Sequence, residues 1–157
     1  MLEFKKYLLS FLISASPLGE MKIGMLLAIF RYGIGPWEAL FFCVSGNLLV
    51  FPLLDWLMKK FGPVVFRDRG IKEKAAKFRS NTRKRTKGLI DKYGFWGLMV
   101  FVMIPLPGTG AYLGTIAAYA FNIERQKAFI AISFGVILCG IIYEALIYLG
   151  IVTEASM

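Results

Sequence analysis

Histidine is missing from the 157-residue sequence, and cysteine occurs only twice. Without an imidazole there is no histidine general base and no histidine-ligated metal site. The two cysteines, Cys43 and Cys139, lie singly in apolar runs, a pattern that suits neither a zinc site nor a disulfide framework. We interpret both as small buried apolar residues, and we expect no metal and no cofactor.

Charged residues are also scarce: they make up 18% of the chain, while 57% is hydrophobic. Soluble domains have about 25% charged and about 45–50% apolar residues, so too few polar side chains remain here to coat a compact surface. Motifs typical of nucleotide-binding sites and serine hydrolases are missing as well. The composition predicts a single integral membrane domain over 1–157, and an enzyme is the least favoured class.

The net charge of +9 is concentrated in one segment. Residues 59–92 hold thirteen of the 19 basic residues and three of the 10 acidic ones. Because short loops rich in Lys and Arg stay in the cytoplasm, this segment is predicted to be a cytoplasmic connector. Ile71, Phe78 and Leu89 lie near one helical stripe, so we expect a helix on the inner leaflet that contacts anionic lipid headgroups. The same charge would suit nucleic acid, but the flanking apolar runs explain it without that partner.

Four apolar runs flank this connector, two on each side. A helix needs about 20 residues to cross the hydrocarbon core, and the runs 36–58 and 125–150 meet this length without interruption. The runs 4–30 and 95–121 are interrupted by proline and glycine. The predicted helix breaks are at Pro17, Gly19, Pro105 and Pro107.

Each interrupted run leaves two arms that are too short to cross the membrane. Unwound backbone at that depth is tolerated only where it is buried in protein or faces water. Each run is therefore predicted to form a re-entrant hairpin, which enters and leaves on one side. The alternative is one proline-kinked helix, and it is weaker for the second run, where two prolines and two glycines fall within 105–110.

The two halves of the chain, 1–58 and 93–157, share one order of segments: an interrupted run, a short turn, a full span and a carboxylate near its end. A shift of 89 or 90 residues aligns them. The aligned pairs include Pro17 with Pro107, Gly24 with Gly114, Gly46 with Gly135, and Asp55 with Glu144. The sequence thus predicts an all-α integral membrane protein of two inverted repeats, each a re-entrant hairpin plus one full transmembrane helix, as in many transporters.

With the connector inside the cell, the span 36–58 runs inward and the span 125–150 runs outward. Both termini are then outside, in the plasma membrane. The two hairpin tips approach each other from opposite faces, and we expect the substrate site there.

Polar residues at membrane depth mark that site, because burying them is costly without a partner or a function. Glu20 follows the first interruption, where it either caps the next half-helix or carries a proton or cation, with Lys22 near enough to pair with it. The half-helix after the second interruption can direct its free N–H groups at an anion, although its glycines equally suit close packing. The predicted substrate- or ion-binding residues are Glu20, Lys22, Asn47, Asp55, Pro107, Gly108, Thr109, Gly110, Tyr112 and Glu144.

Asp55 and Glu144 have a simpler alternative reading as members of ion pairs. Their expected partners are Arg31, Lys127 and Lys59.

Three segments carry a family resemblance: SPLGE at 16–20, the basic connector, and IPLPGTGA at 104–111. Over nearly the whole chain they resemble the small multidrug export protein family, which is similar in hairpin architecture to the DedA and VTT membrane proteins. The resemblance implies small-molecule export, and through the DedA proteins it implies ion-dependent transport or lipid-carrier translocation. It gives Glu20 the acidic role of the first hairpin. The arginine expected in a DedA-type second hairpin is missing from 104–121.

The favoured function is therefore proton- or cation-coupled export of a small molecule through the mid-membrane site. The alternatives are a DedA/VTT-like lipid scramblase or lipid-carrier flippase, and a structural membrane protein that organises partners through its connector. Two full spans enclose little volume, so we expect a homodimer, with Gly24, Gly46 and Gly135 allowing close contact.

Overall fold

The computed structural model of the chain describes residues 2–16, 20–65, 77, 80, 93–105, 110–121 and 123–152. Within these ranges the regular structure is entirely helical, and no strand occurs. This part of the chain confirms the predicted all-α class.

The first interrupted run forms two short helices. Helix α1 covers Leu2–Ser14, and α2 covers Glu20–Leu26 and continues as a π-helical turn over Leu27–Arg31. At 1.5 Å per residue each arm is about 20 Å long or less, which is shorter than a hydrocarbon core of about 30 Å. The two arms pack against each other.

The first predicted span is divided into two helices. Helix α3 covers Pro36–Leu48 and α4 covers Val50–Val65, so the predicted span 36–58 is divided at Leu49 and α4 continues beyond its predicted end. Pro52 lacks the N–H that would bond to the Leu48 carbonyl, and this weakens the helix at that turn. Residues 36–57 together still have the length and hydropathy of a candidate membrane span.

The second half repeats this order. Helix α5 covers Phe95–Met103 and α6 covers Ala111–Ala120. Pro105 follows the end of α5, and Ile104 before it is extended, as expected for a residue that precedes proline. Helix α7 covers Arg125–Tyr148 without a break and is the second candidate membrane span.

In both halves the two short arms pack against each other and against the following long helix. The halves meet mainly where α3 packs on α7 and α4 packs on α6. Met25, Leu98 and Ile132 are fully buried in the resulting core, whereas Trp37 and Phe134 point outward with more than half of their surface exposed.

Glycines set the distance between each first arm and its long helix. A Cβ atom at Gly46 of α3 would lie 2.5 Å from the Phe11 carbonyl oxygen of α1. A Cβ atom at Gly135 of α7 would lie 2.8 Å from the Met99 carbonyl oxygen of α5. Only a residue without a side chain lets these backbones come so close.

The glycines of the second arms behave in the same way. A Cβ atom at Gly24 would lie 3.1 Å from the Ser14 side chain, and one at Gly114 would lie 2.6 Å from the Val102 side chain. The glycines that the shift of 89 or 90 residues aligns therefore make corresponding contacts in the two halves. The opposite orientation of these halves in a membrane stays a prediction.

The same contacts correct one expectation. Gly24, Gly46 and Gly135 are buried against neighbouring helices of their own chain. Their small size is therefore used inside the protomer, and it gives no reason to place them at a dimer contact. The homodimer itself stays a prediction.

The predicted connector 59–92 begins as the last turns of α4, which ends at Val65. Beyond that, only Lys77 and Ser80 are described before residue 93. The predicted amphipathic helix around 71–89 and its lipid contacts lie outside the described residues.

Candidate functional site

The two interruptions meet in the structure. Glu20 is the first residue of α2, and Gly110 is the N-cap of α6. A Cβ atom at Gly110 would lie 3.2 Å from both Cδ and Oε1 of Glu20. The Glu20 carboxylate from the first half therefore lies directly against the backbone that begins α6 in the second half.

Lys22 compensates the charge of Glu20, as predicted. Its Nζ lies 3.4 Å from Glu20 Oε2, and the two side chains are only 10% and 15% exposed. This separation exceeds the roughly 2.7–2.9 Å of a tight charge-assisted hydrogen bond. We call Glu20, Lys22 and Gly110 the Glu20 cluster.

The backbone of Glu20 is unusual. Its φ is +49°, the only positive φ among the described non-glycine residues. Such a conformation costs of the order of 1–3 kcal/mol and persists where the surroundings fix it. The Glu20 N–H also donates a hydrogen bond of 3.2 Å to the Ser16 carbonyl. The carboxylate is thus held at the junction by main-chain geometry as well as by its partner.

The position at the start of α6 is electrostatically suited to a negative charge. The first N–H groups of a helix have no partner within it, and its dipole is positive at this end. The N-cap residue Gly110 has no side chain with which to cap α6. We predicted that this helix end would take an anionic group, and the group that lies there in the structure is the carboxylate of Glu20.

A small cavity of about 10 Å³ adjoins the Glu20 cluster. Its volume is close to the least that holds one water molecule. Its lining residues come from both halves and include Asn47, Val102, Val136 and Cys139. This cavity therefore has room for no more than one water molecule.

Two of the predicted site residues satisfy backbone carbonyls at the first interruption. Asn47 Nδ2 donates a hydrogen bond of 3.0 Å to the Ser14 carbonyl, and the Tyr112 hydroxyl donates one of 2.6 Å to the Ala15 carbonyl. The last carbonyls of a helix have no partner within it, and leaving them buried and unpaired is unfavourable. Asn47 and Tyr112 thus stabilise the unwound backbone after α1, and Tyr112 also joins the second half to the first.

A second cluster forms around Asp55, whose side chain is 2% exposed. The Tyr119 hydroxyl donates a hydrogen bond of 2.6 Å to Asp55 Oδ1, and the Arg125 guanidinium pairs with Oδ2. Asp55 belongs to α4, while its two partners lie on α6 and at the start of α7. We call these three residues the Asp55 cluster.

The structure gives Asp55 a partner that the sequence did not suggest. We expected Arg31, Lys127 or Lys59, but α4 packs on α6 and this brings Asp55 to Arg125 at the beginning of α7. The Lys59 side chain lies outside the described residues, so that pairing stays a prediction. Lys127 instead pairs with Glu124, at 2.9 Å. A signal for Arg125 was present, because Asp55 ends the first span and Arg125 begins the second, and the predicted topology puts both at one membrane face.

Of the remaining predicted residues, Glu144 is the one that the structure describes. Glu144 is half-buried on α7 and belongs to neither cluster; within the described ranges no hydrogen bond or ion pair involves it. Its role as a carrier stays a prediction. Pro17, Gly19, Pro107, Gly108 and Thr109 lie outside the described residues. Over the ranges that the structure covers, no group of three His, Cys, Asp or Glu residues could hold a metal ion.

The described ranges are all-helical, with two apolar helices of spanning length and buried charges between the halves, and these features are typical of a membrane protein. Residues 20–142 match the family described as "Putative small multi-drug export protein", and the chain belongs to that family. The match covers more than half of the chain and points to a transporter rather than an enzyme. Neither the curated proteins nor the solved structures include a match to this chain. The similarity to DedA and VTT proteins stays a prediction.

Proposed function

We propose that this protein exports a small molecule across the plasma membrane in exchange for protons or cations, through a site where two re-entrant hairpins meet. The observation that carries the proposal is the contact between Glu20 of the first half and Gly110 at the start of α6 in the second half. Carriers built from repeats place their substrate and ion sites where interrupted helices of the two halves meet.

Two features of the fold support the hairpin arrangement. The arms α1, α2, α5 and α6 are each too short to cross a bilayer, and each pair packs against itself and against one long helix. The corresponding contacts of Gly46 with Phe11 and of Gly135 with Met99 support a repeat relation between the halves. Inverted halves of this kind exchange access from one side to the other by moving against each other.

The Glu20 carboxylate is the proposed coupling group. Its negative charge is attracted both to the Lys22 ammonium and to the positive end of α6. A proton on Glu20 removes both attractions at once, which weakens the contact between the two interruptions. The adjacent cavity, large enough for one water molecule, gives a route for that proton.

Opening at this junction also has to break the hydrogen bond from Tyr112 to the Ala15 carbonyl. Water or substrate can replace that bond once the junction is wet. The Tyr112 contact therefore stabilises the closed arrangement without setting which ion opens it.

The test is transport by the purified full-length protein in liposomes that enclose DNA, with ethidium as the probe and an imposed pH gradient. We expect Glu20→Gln to abolish the gradient-driven movement of ethidium, which is followed by its fluorescence on DNA. The matched control is Glu38→Gln, a change at an exposed carboxylate outside both clusters, and it should keep wild-type transport. Size-exclusion elution and thermal unfolding show that both variants fold.

Unchanged, pH-dependent transport by Glu20→Gln would mean that Glu20 is only a helix cap and would contradict the proposal. Transfer of a fluorescent phospholipid between leaflets without any ion gradient, with no movement of ethidium, would favour the scramblase instead.

A further inference from the structure

A second and larger cavity, of about 270 Å³, lies beside the Asp55 cluster. Its polar end is formed by the three residues of that cluster. Its apolar walls are Phe51, Ala118, Ile123 and Ala128. We infer that this cavity binds an organic cation with an apolar body, whose charged group takes the place of Arg125 on Asp55 Oδ2.

The sign of the ligand follows from the burial of Asp55. An anion in the place of Arg125 at Oδ2 would be repelled by the Asp55 carboxylate, which is itself only 2% exposed. A neutral ligand would leave the ion pair as it is. A cation, however, can attract Asp55 Oδ2 as the Arg125 guanidinium does, so that oxygen keeps a positively charged neighbour throughout the exchange.

A ligand can displace the Arg125 guanidinium from Asp55 at low cost. Its side chain is 57% exposed, so a released guanidinium regains water. It is also the first residue of α7, where the helix dipole is unfavourable for a positive charge. Asp55 supplies the compensating attraction, and a ligand that occupies Oδ2 removes it.

Tyr119 fixes the orientation of the Asp55 carboxylate during the exchange. Its hydroxyl holds Asp55 Oδ1 at 2.6 Å, so only Oδ2 changes its partner. The carboxylate therefore stays aimed at the cavity whether Arg125 or a ligand is bound.

The size and walls of the cavity define the ligand further. Its volume is just below the roughly 300–1,000 Å³ of sites for drug-sized molecules. The walls offer apolar contacts only, so the body of the ligand should be aromatic or branched aliphatic. Phe51 and Asp55 come from the first half and the other lining residues from the second, so a bound ligand contacts both halves. The identification of this ligand with the exported molecule rests on the proposed function. The binding of the ligand is independent of it.

The test is calorimetric titration of the full-length protein in lipid nanodiscs with benzyltrimethylammonium, an aromatic cation, and with phenylmethanesulfonate, an anion of similar size. We expect the cation to bind and the anion not to bind. Asp55→Asn should weaken cation binding by about tenfold or more. Arg125→Ala should strengthen it, because the ligand no longer competes with a resident cation.

Three results would overturn the inference: binding of the anion in place of the cation, unchanged cation binding by Asp55→Asn, or weaker cation binding by Arg125→Ala. If Asp55→Asn does not fold, the direction of the Arg125→Ala change decides. Loss of transport by Glu20→Gln with intact binding of benzyltrimethylammonium separates this site from the coupling group. Intact transport with no such binding rejects this site and leaves the proposed function standing.

Discussion

The Glu20 cluster and the Asp55 cluster each bring a carboxylate of the first half against the second half, but they compensate its charge differently. Glu20 pairs with Lys22, which lies on its own helix and is itself 10% exposed. Asp55 pairs with Arg125 of the other half, which is 57% exposed. The first charge is neutralised locally and the second across the contact between the halves.

The space beside the two carboxylates differs as well. About 10 Å³ adjoins Glu20 and about 270 Å³ adjoins Asp55. Glu20 has space for one water molecule beside it and a partner on its own helix, so it is suited to bind a proton. A group with a large apolar cavity and a partner that can move into solvent suits an organic ligand. The comparison therefore separates two roles that the sequence had assigned to one mid-membrane site.

The largest effect on stability should come from removing Arg125. Arg125→Ala removes the guanidinium from a buried carboxylate, and we expect a loss of about 2–3 kcal/mol, below the range for a fully buried pair because water reaches the guanidinium. Unfolding of the detergent-solubilised protein by denaturant measures this loss. The matched control is Lys127→Ala, which breaks the exposed pair with Glu124 and should cost under about 0.5 kcal/mol. Equal losses in the two variants would mean that the Asp55 pair behaves as a surface pair.

A smaller difference should separate the tyrosines of the two regions. Tyr119→Phe removes a hydrogen bond to a buried carboxylate and should cost about 1.5–2 kcal/mol, whereas Tyr112→Phe removes one to a carbonyl and should cost about 1 kcal/mol. The same unfolding measurement ranks them. A larger loss of unfolding free energy for Tyr112→Phe than for Tyr119→Phe would contradict this prediction.

Gly110→Ala should lower stability about as little as Tyr112→Phe and should have a clear effect on transport. The new Cβ would lie 3.2 Å from the Glu20 carboxylate, which has to shift, while the backbone at Gly110 is extended and accepts alanine. We expect a loss of about 1 kcal/mol and slower proton-driven ethidium movement in the liposome assay.

Gly35→Ala is the matched control for this change. Gly35 is also an N-cap glycine with extended backbone, and a Cβ there would lie 3.6 Å from Glu38, an ordinary contact. Equal transport by the two alanine variants would show that the contact between Gly110 and Glu20 has no part in coupling.

The features that sequence reasoning predicted are local ones. Two apolar runs of spanning length predict two long helices because length and hydropathy are properties of the run itself. Prolines and glycines mark the interruptions because they act on their own backbone, and the end of α5 before Pro105 follows that rule. Glu20 and Lys22 are two residues apart, so their pairing needed no knowledge of the tertiary packing.

The features that it missed depend on which helices touch. Tyr119 and Arg125, two partners of Asp55, lie 64 and 70 residues away, and only the packing of α4 against the start of α7 brings Arg125 to Asp55. The contact of Glu20 with Gly110 likewise joins segments far apart in sequence. Pro52 was visible, but the break at Leu49 depends on how the surrounding helices accommodate the missing hydrogen bond.

The π-helical turn over Leu27–Arg31 accounts for the change in shift between the halves. The interval from Gly24 to Gly46 is one residue longer than that from Gly114 to Gly135. A π-turn accommodates one residue more than an α-turn, so the surplus residue is taken up inside the second arm. Past it, Ile34 donates to the Ala28 carbonyl and Ile123 to the Ala118 carbonyl, both at 2.9 Å. Gly46 and Gly135, which follow this point in the two halves, both lie against a carbonyl oxygen of the first arm.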